Sequence, residues 1–234
     1  MHINVLYEDN HLLVVEKPVN IAVMEDQSKD NDFLNILKSD LKVRYQKPGN
    51  VYLALVHRLD RPVGGIMVFA KTSKAASRLS QQVANRSMAK TYHAVINGEI
   101  SQQNGRLEDY LLKNKKTNMV SVVNANTKDA KLAQLDYSVK DYKENLTLVK
   151  VHLITGRSHQ IRVQFASRNH PLWGDQRYNP SARTGQQIAL FASSLSFNHP
   201  ITGKRLTFEL PLPNRFPYTS VSYTHLTLPT NSLV

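Results

Sequence analysis

Residues 51–72 read VYLALVHRLDRPVGGIMVFAKT, two runs of β-favouring side chains on either side of the polar insert Asp60-Arg61-Pro62-Val63. Branched and aromatic side chains suit a pleated surface, so VYLALVHRL and GGIMVFAKT read as strands. Pro62 has no N–H for a ladder, and the Gly64-Gly65 pair tolerates a turn or a close backbone approach, so the insert leaves the sheet as a loop. Thr72 or Ser73 then caps a helix to about Asn85. Its Ala76, Leu79 and Val83 form a core stripe, with Lys74, Arg78 and Gln82 towards water.

Upstream of this stretch, INVLYED and HLLVVEK read as two strands joined at Asp9-Asn10, the second ending at Lys17-Pro18. Asp32 caps a helix over about Phe33 to Tyr45, with Phe33, Leu37 and Leu41 on one face. Downstream, KTYHAVING, NMVSVVNA, KLAQLDYSV and LTLVKVHLI read as strands and Ser158 to Arg168 as a helix. IALFASSLSF and KRLTFELPL make a last strand pair. Strands in runs with few helices between them indicate an α+β domain, a mixed and largely antiparallel sheet flanked by helices. No repeat or low-complexity linker divides the chain, so a single domain is expected.

The 234 residues suffice for one substantial core. Thirty lysines and arginines against 18 aspartates and glutamates give a formal charge of +12 and a pI near 9.8. That balance favours a polyanionic partner, nucleic acid ahead of a membrane surface. With no cysteine, a disulfide framework, a thiolate nucleophile and thiolate-ligated zinc are excluded, which fits the cytoplasm. The start, MHINVLYEDNHLLVVEKP, lacks a basic region followed by a long apolar core, and no segment approaches ~20 apolar residues, so a soluble protein with no membrane partner is expected.

Three constellations can carry chemistry. Asp60, leaving a strand into a glycine-containing turn, is rigidly held yet reachable. Taken alone it reads better as an ion pair with Arg58 or Arg61. Thr155 to Arg162, TGRSHQIR, joins a strand to a helix, where backbone N–H groups and Arg157 suit a phosphate. Arg162, one turn further, is available to a buried carboxylate, although His159 and Arg162 read equally as surface residues of an amphipathic helix. His152, His159 and His170 lack the spacing of a helical zinc site, so no metal is expected. In Lys90-Thr91-Tyr92-His93-Ala94, strand alternation puts Tyr92, Ala94 and Ile96 on one face. A tyrosine there can stack on a base or move a proton, although most strand tyrosines only pack.

In their order these segments resemble the RluA family of pseudouridine synthases, from about Val5 to Leu212. The resemblance rests on Glu16-Lys17-Pro18, His57-Arg58-Leu59-Asp60, Lys90-Thr91-Tyr92, LITGRSHQIRVQFASRNHPLWGD at 153–175 and FNHPITG at 197–203. It implies isomerisation of uridine in ribosomal RNA, transfer RNA or both, by a monomer, without cofactor or metal. Asp60 then attacks the ribose anomeric carbon or the uracil ring, and the detached base turns and rejoins through carbon 5. Arg162 keeps Asp60 ionised, and Tyr92 packs on the base and is a candidate for proton transfer. Arg58 occupies the space opened by the flipped nucleotide and Lys17 supports the site. His57, Arg157, His159 and Gln160 are carried over as RNA- or substrate-binding positions. Three departures, Gly64 in place of serine and Gln164 and Phe191 in place of histidine, bear on substrate identity. Many relatives begin with an S4-type RNA-binding domain, whereas this chain enters the pattern by Val5; target choice then lies in the catalytic domain or in a fragment upstream.

The stretch VSYTHLTLPT at 221–230 reads like a translated sequencing adapter, so the catalytic domain is expected over 1–217, with an artefactual or disordered tail over 218–234. Two other functions compete. A catalytically silent RNA-binding or ribosome-assembly protein would have no chemical need to keep Asp60, Tyr92 and Arg162 together. Glycoside hydrolysis by Asp60 needs a second carboxylate, which no motif marks.

Overall fold

The computed structural model describes residues 2–25 and 30–221. β1 (Asn4–Glu8) and β2 (Leu12–Lys17) form a hairpin whose turn is closed by Asp9, its carboxylate accepting the His11 and Leu12 N–H groups at 2.7 Å each. α1 (Phe33–Arg44) starts where Asp32 accepts the Asn35 N–H at 2.9 Å, and its Phe33, Leu37 and Leu41 are buried. β3 (Ala54–Leu55) and β4 (Gly64–Ala70) flank the loop carrying Asp60. α2 (Ser73–Ala84) follows, capped by the Thr72 hydroxyl on the Ala75 N–H.

β5 (Ala89–Asn97), β6 (Asn104–Asn114), β7 (Met119–Val123), β8 (Lys131–Lys143) and β9 (Leu146–Leu153) follow without an intervening helix. The described residues end with α3 (Gln160–Ala166), β10 (Leu190–Asn198), β11 (Arg205–Glu209) and α4 (Tyr218–Val221).

The strands form one eleven-stranded sheet in the order β1-β2-β4-β10-β5-β9-β8-β6-β7, with β11 on β10 and β3 on β4. Among the described residues only the β4–β10 pairing is parallel, so the architecture is the expected α+β one with a largely antiparallel sheet. Gly65 sits where β4 meets both β2 and β10, paired with Lys17 and Ala192. Its φ of 124° and the overlap that a Cβ would make with the Ala192 backbone leave room only for glycine.

β2 and β4 are apolar on both faces because both faces are covered. Leu13, Val15, Met67 and Phe69 pack with Phe33 and Leu37 of α1. Leu12, Val14, Ile66 and Val68 pack with Ala75 and Leu79 of α2. Continuous burial of this kind explains an apolar run without polar alternation.

Several expectations need correction. VYLALVHRL supplies only two strand residues, because the chain must leave the sheet to carry His57 and Asp60 into the site. β6 was not expected from the sequence. α3 begins at Gln160, since His159 is left-handed with φ 51° and stops the helix from extending back to Ser158. On α2, Ala75 and Leu79 are the buried pair. Arg78 and Gln82 are not simply solvated: Arg78 Nη1 donates to the Pro200 carbonyl at 2.5 Å, and Gln82 exchanges two hydrogen bonds with the Asn198 backbone. At the expected boundary after residue 217, α4 follows directly. Tyr218 and Val221 are fully buried with Val95, Leu148, Ala189 and Phe191, so 218–221 packs on the domain. The rest of the expected tail, 222–234, lies outside the described residues. No described helix is long and apolar enough to cross a membrane.

Candidate active site

The loop between β3 and β4 is tied down from below. Val63 N–H closes a turn on the Asp60 carbonyl at 3.0 Å. The fully buried Lys17 donates to the carbonyls of Pro18 at 2.8 Å, Arg61 at 3.1 Å and Val63 at 2.8 Å. Burial pulls the Lys17 ammonium down to about 7, with the Asp60 charge opposing and Arg61 adding to the fall. Lys17 thus holds the backbone around Asp60. His57 is a second brace, its Nε2 accepting the Val68 N–H at 3.1 Å. Burial, aided by Lys90, pushes its pKa down to about 3, so it is a neutral wall residue.

Above the loop, Arg162 on α3 makes two charge-assisted bonds to Asp175, Nε to Oδ2 at 2.8 Å and Nη2 to Oδ1 at 2.7 Å. Its remaining arm, Nη1, reaches Asp60 Oδ2 at 3.0 Å. The Arg162 and Asp175 side chains are 5% and 0% exposed, against 28% for Asp60. Burial works against the guanidinium charge, but Asp175 and then Asp60 more than offset it, and the pKa of Arg162 rises. Asp60 Oδ1 has no hydrogen-bond partner among the described residues.

Tyr92 lies buried on β5 with its pKa raised by burial and then by the Asp60 charge, so it stays protonated. His159 Nε2 is 3.9 Å from Asp60 Oδ2, and its Nδ1 is 2.8 Å from the Tyr178 hydroxyl. Burial lowers the His159 pKa; Asp60 raises it, while Arg162, Arg177 and Lys113 lower it further.

These groups open onto a cleft of about 1150 Å³ whose walls include Arg58, Arg86, Lys90, Arg157 and Arg177. Arg58 is exposed there. The burial of Lys90 in the wall lowers its pKa. Arg157 is anchored through Nε on the Leu132 carbonyl at 2.9 Å. Among the described residues, no group of three or more His, Cys, Asp or Glu could hold a metal ion.

The structure therefore brings Asp60, Tyr92, Arg162 and His159 together, with Arg58 and Arg157 on the same cleft. Lys17 is fully buried and does not line the cleft, whereas His57 and Gln160 do line it while bonding the protein's own backbone. Gln160 is spent within the β9–α3 connection: its oxygen accepts from Thr155 Oγ1 at 2.8 Å and the Arg157 N–H at 3.0 Å, and its amide donates to the Gln134 carbonyl at 3.0 Å. Asp175, Tyr178, Lys90 and Arg177 were not singled out in the sequence as site residues. Asp175 ends the HPLWGD run, but no local spacing links it to Arg162, thirteen residues away.

The family model described as RNA pseudouridylate synthase matches residues 11–167. The Bacillus subtilis protein named uncharacterized RNA pseudouridine synthase YhcT is 32% identical over 212 residues, covering 90% of this chain and 69% of that protein. Ribosomal large subunit pseudouridine synthase C of Yersinia pestis is 32% identical over 218 residues, covering 90% of this chain and 66% of that protein. The solved structure of human RNA pseudouridylate synthase domain containing 4 superposes with a TM-score of 0.76 at 20% identity, covering 90% of this chain and 89% of that one, a likeness of fold. This chain belongs to the RNA pseudouridylate synthase family and is an RNA pseudouridine synthase, an isomerase.

Proposed function

We propose that the enzyme isomerises uridine in large-subunit ribosomal RNA with Asp60 as its nucleophile. The observation that carries this reading is the asymmetry of the Asp60 carboxylate. Oδ2 is held at 3.0 Å by an Arg162 that is itself locked on buried Asp175, while Oδ1 has no partner among the described residues. One guanidinium shared by two carboxylates leaves the trio with a net negative charge. Asp60 thus has a cationic partner at one oxygen and keeps the other for a nucleophilic role.

A target uridine enters the cleft flipped from its stack, at a cost of a few kcal/mol that contacts to the basic walls offset. Arg58, exposed at the mouth, fills the space it leaves. Asp60 attacks the anomeric carbon or the ring, the bond between N1 and the anomeric carbon breaks, the base turns, carbon 5 bonds the anomeric carbon as Asp60 is released, and the carbon 5 proton is lost while N1 gains one. Tyr92, protonated and beside the carboxylate, packs against the base and is placed to relay that proton. Ribosomal RNA is favoured because relatives about one-third identical carry large-subunit names. The enzyme works as a cytoplasmic monomer on this reading.

The test is pseudouridine mapping of ribosomal and transfer RNA from cells lacking the gene, complemented with wild type or Asp60→Asn. One or more ribosomal sites should vanish with the gene and return only with wild type. Restoration by Asp60→Asn would remove Asp60 from the chemistry, and loss confined to transfer RNA would change the substrate.

A further inference from the structure

Tyr178, in the segment between α3 and β10, touches both partners of Asp60. Its ring lies beneath the Arg162 guanidinium, 5.3 Å from ring centroid to Cζ. Its hydroxyl oxygen accepts the Val120 N–H at 2.9 Å and lies 2.8 Å from His159 Nδ1. A backbone N–H can only donate, so the phenolic proton must go elsewhere. Among the described residues the one acceptor within reach is His159 Nδ1. In a neutral imidazole one nitrogen carries the proton and the other accepts, and the bond made by one fixes the state of the other.

We propose that Tyr178 is a positioning residue of this site: it holds His159 as the neutral tautomer protonated on Nε2, so that Asp60 meets an uncharged donor beside the charged Arg162. The proposal rests on Asp60 being the reacting carboxylate.

His159 Nε2 is 3.9 Å from Asp60 Oδ2, beyond hydrogen-bond range. Catalytic hydrogen bonds in free enzymes are commonly long and tighten around substrate. The groups facing the imidazole are Asp60 from the β3–β4 loop, Arg162 from α3, Arg177 and Tyr178 from the following segment, and Lys113 from β6. Three of the five are cations, and burial adds to their effect in keeping His159 neutral. The distinction matters chemically. An imidazolium would add a second positive charge and blunt the nucleophile, whereas a neutral N–H orients it. The left-handed φ of 51° at His159 is what turns the ring back towards Tyr178 ahead of the helix.

The experiment uses the full chain labelled with [15N]histidine. Long-range proton–nitrogen spectra at pH 8, with His159 assigned by its loss in His159→Gln, should show a neutral ring protonated on Nε2. In Tyr178→Phe, which keeps the ring under Arg162, the two nitrogens should move towards a tautomer average. Turnover of [5-3H]uridine-labelled large-subunit rRNA transcript should then show kcat about tenfold lower, with KM within about twofold. Should the stranded Val120 N–H prevent Tyr178→Phe from folding, a second pair decides. The amide nitrogen of His159→Gln can donate from near the Nε2 position, and that of His159→Asn from near Nδ1. His159→Gln should be about tenfold the more active. Backbone preference opposes that order, since asparagine suits a left-handed φ better than glutamine. A proton on Nδ1 in wild type, or His159→Asn at least as active as His159→Gln, overturns the proposal. Failure of the Asp60 reading is separately visible: Asp60→Asn would stay active while the nitrogen assignment held.

Discussion

Asp175→Asn tests whether Arg162 is effective because it is immobilised. The native pair makes two bonds, at 2.8 and 2.7 Å, between side chains that are 5% and 0% exposed. Neutralising one member of such a pair costs about 3–5 kcal/mol. Asp60 remains 3.0 Å from Nη1, so the guanidinium keeps one anion, which puts the cost near the lower end, about 3 kcal/mol. For a domain of this size that is a fall in Tm of about 6–12 °C.

The catalytic effect should be larger than stability alone predicts. Once released from Asp175, the guanidinium can turn its Nε edge towards Asp60 and occupy the oxygen now without a partner. A misplacement of about 1 Å can cost about 100-fold. Tritium release from [5-3H]uridine in RNA measures turnover, because carbon 5 loses its hydrogen on becoming the glycosidic carbon. Well below the new Tm, kcat should fall about 100-fold with KM changed less than about threefold. A lowered Tm with kcat within about threefold of wild type would refute the argument, leaving Asp175 a purely structural counter-charge.

Lys17→Met strands the carbonyls of Pro18, Arg61 and Val63 and should destabilise the protein by about 3 kcal/mol in urea titration. It should also lower kcat, because two of those carbonyls belong to the Asp60 loop. His57, at about 3 when folded and near 6.5 when unfolded, lets the unfolded chain bind the extra proton between those values. Stability present above pH 6.5 is therefore lost as pH falls towards 3, by about 2 kcal/mol at pH 5. Urea midpoints across that range should show the slope, and His57→Gln should flatten it. Gly65→Ala should cost roughly 3 kcal/mol or more, since φ is 124° and the Cβ meets the Ala192 backbone. Gly64→Ala, whose Cβ would meet Val19 Cγ1 at 3.1 Å and the Lys17 carbonyl at 3.2 Å, should cost less in the same titration.

Local signals were legible in the sequence wherever one element satisfied itself. Asp32 and Thr72 cap α1 and α2 with their own side chains, and the Phe33, Leu37 and Leu41 stripe needs only helical spacing. β6 was illegible because its inward face is interrupted by a charge. Asp109 lies between buried Leu107 and Leu111, accepting from Gln164 at 2.7 Å and Arg168 at 2.8 Å, so the pattern reads as polar until α3 is placed above it. The site divides in the same way. Asp60, Tyr92 and Arg162 stand in short motifs, whereas Asp175 and Tyr178 acquire meaning only from partners that folding delivers. Gln160 and His57 show the converse: they stand in the motifs beside Arg162 and Asp60, yet their hydrogen bonds serve the backbone that positions those neighbours.

The three departures from the family pattern can be weighed by where they fall. Gly64 lies against Val19 and Lys17 beneath the loop, Gln164 on the inner side of α3 bonded to Asp109, and Phe191 in the cluster with Tyr218 and Val221. None of them lines the cleft. A side chain that does not meet the RNA can select it only by moving one that does. Each of these three is enclosed by packed neighbours, so such movement would cost stability before it altered choice. Any bearing they have on substrate identity is therefore indirect. Among the residues that do line the cleft, exposed Met24, Arg86 and Asn118 should weigh more in the choice of uridine. Exchanging them should change the pattern of modified sites in pseudouridine mapping while turnover through Asp60, Arg162 and Asp175 is kept; an unchanged pattern would refute this.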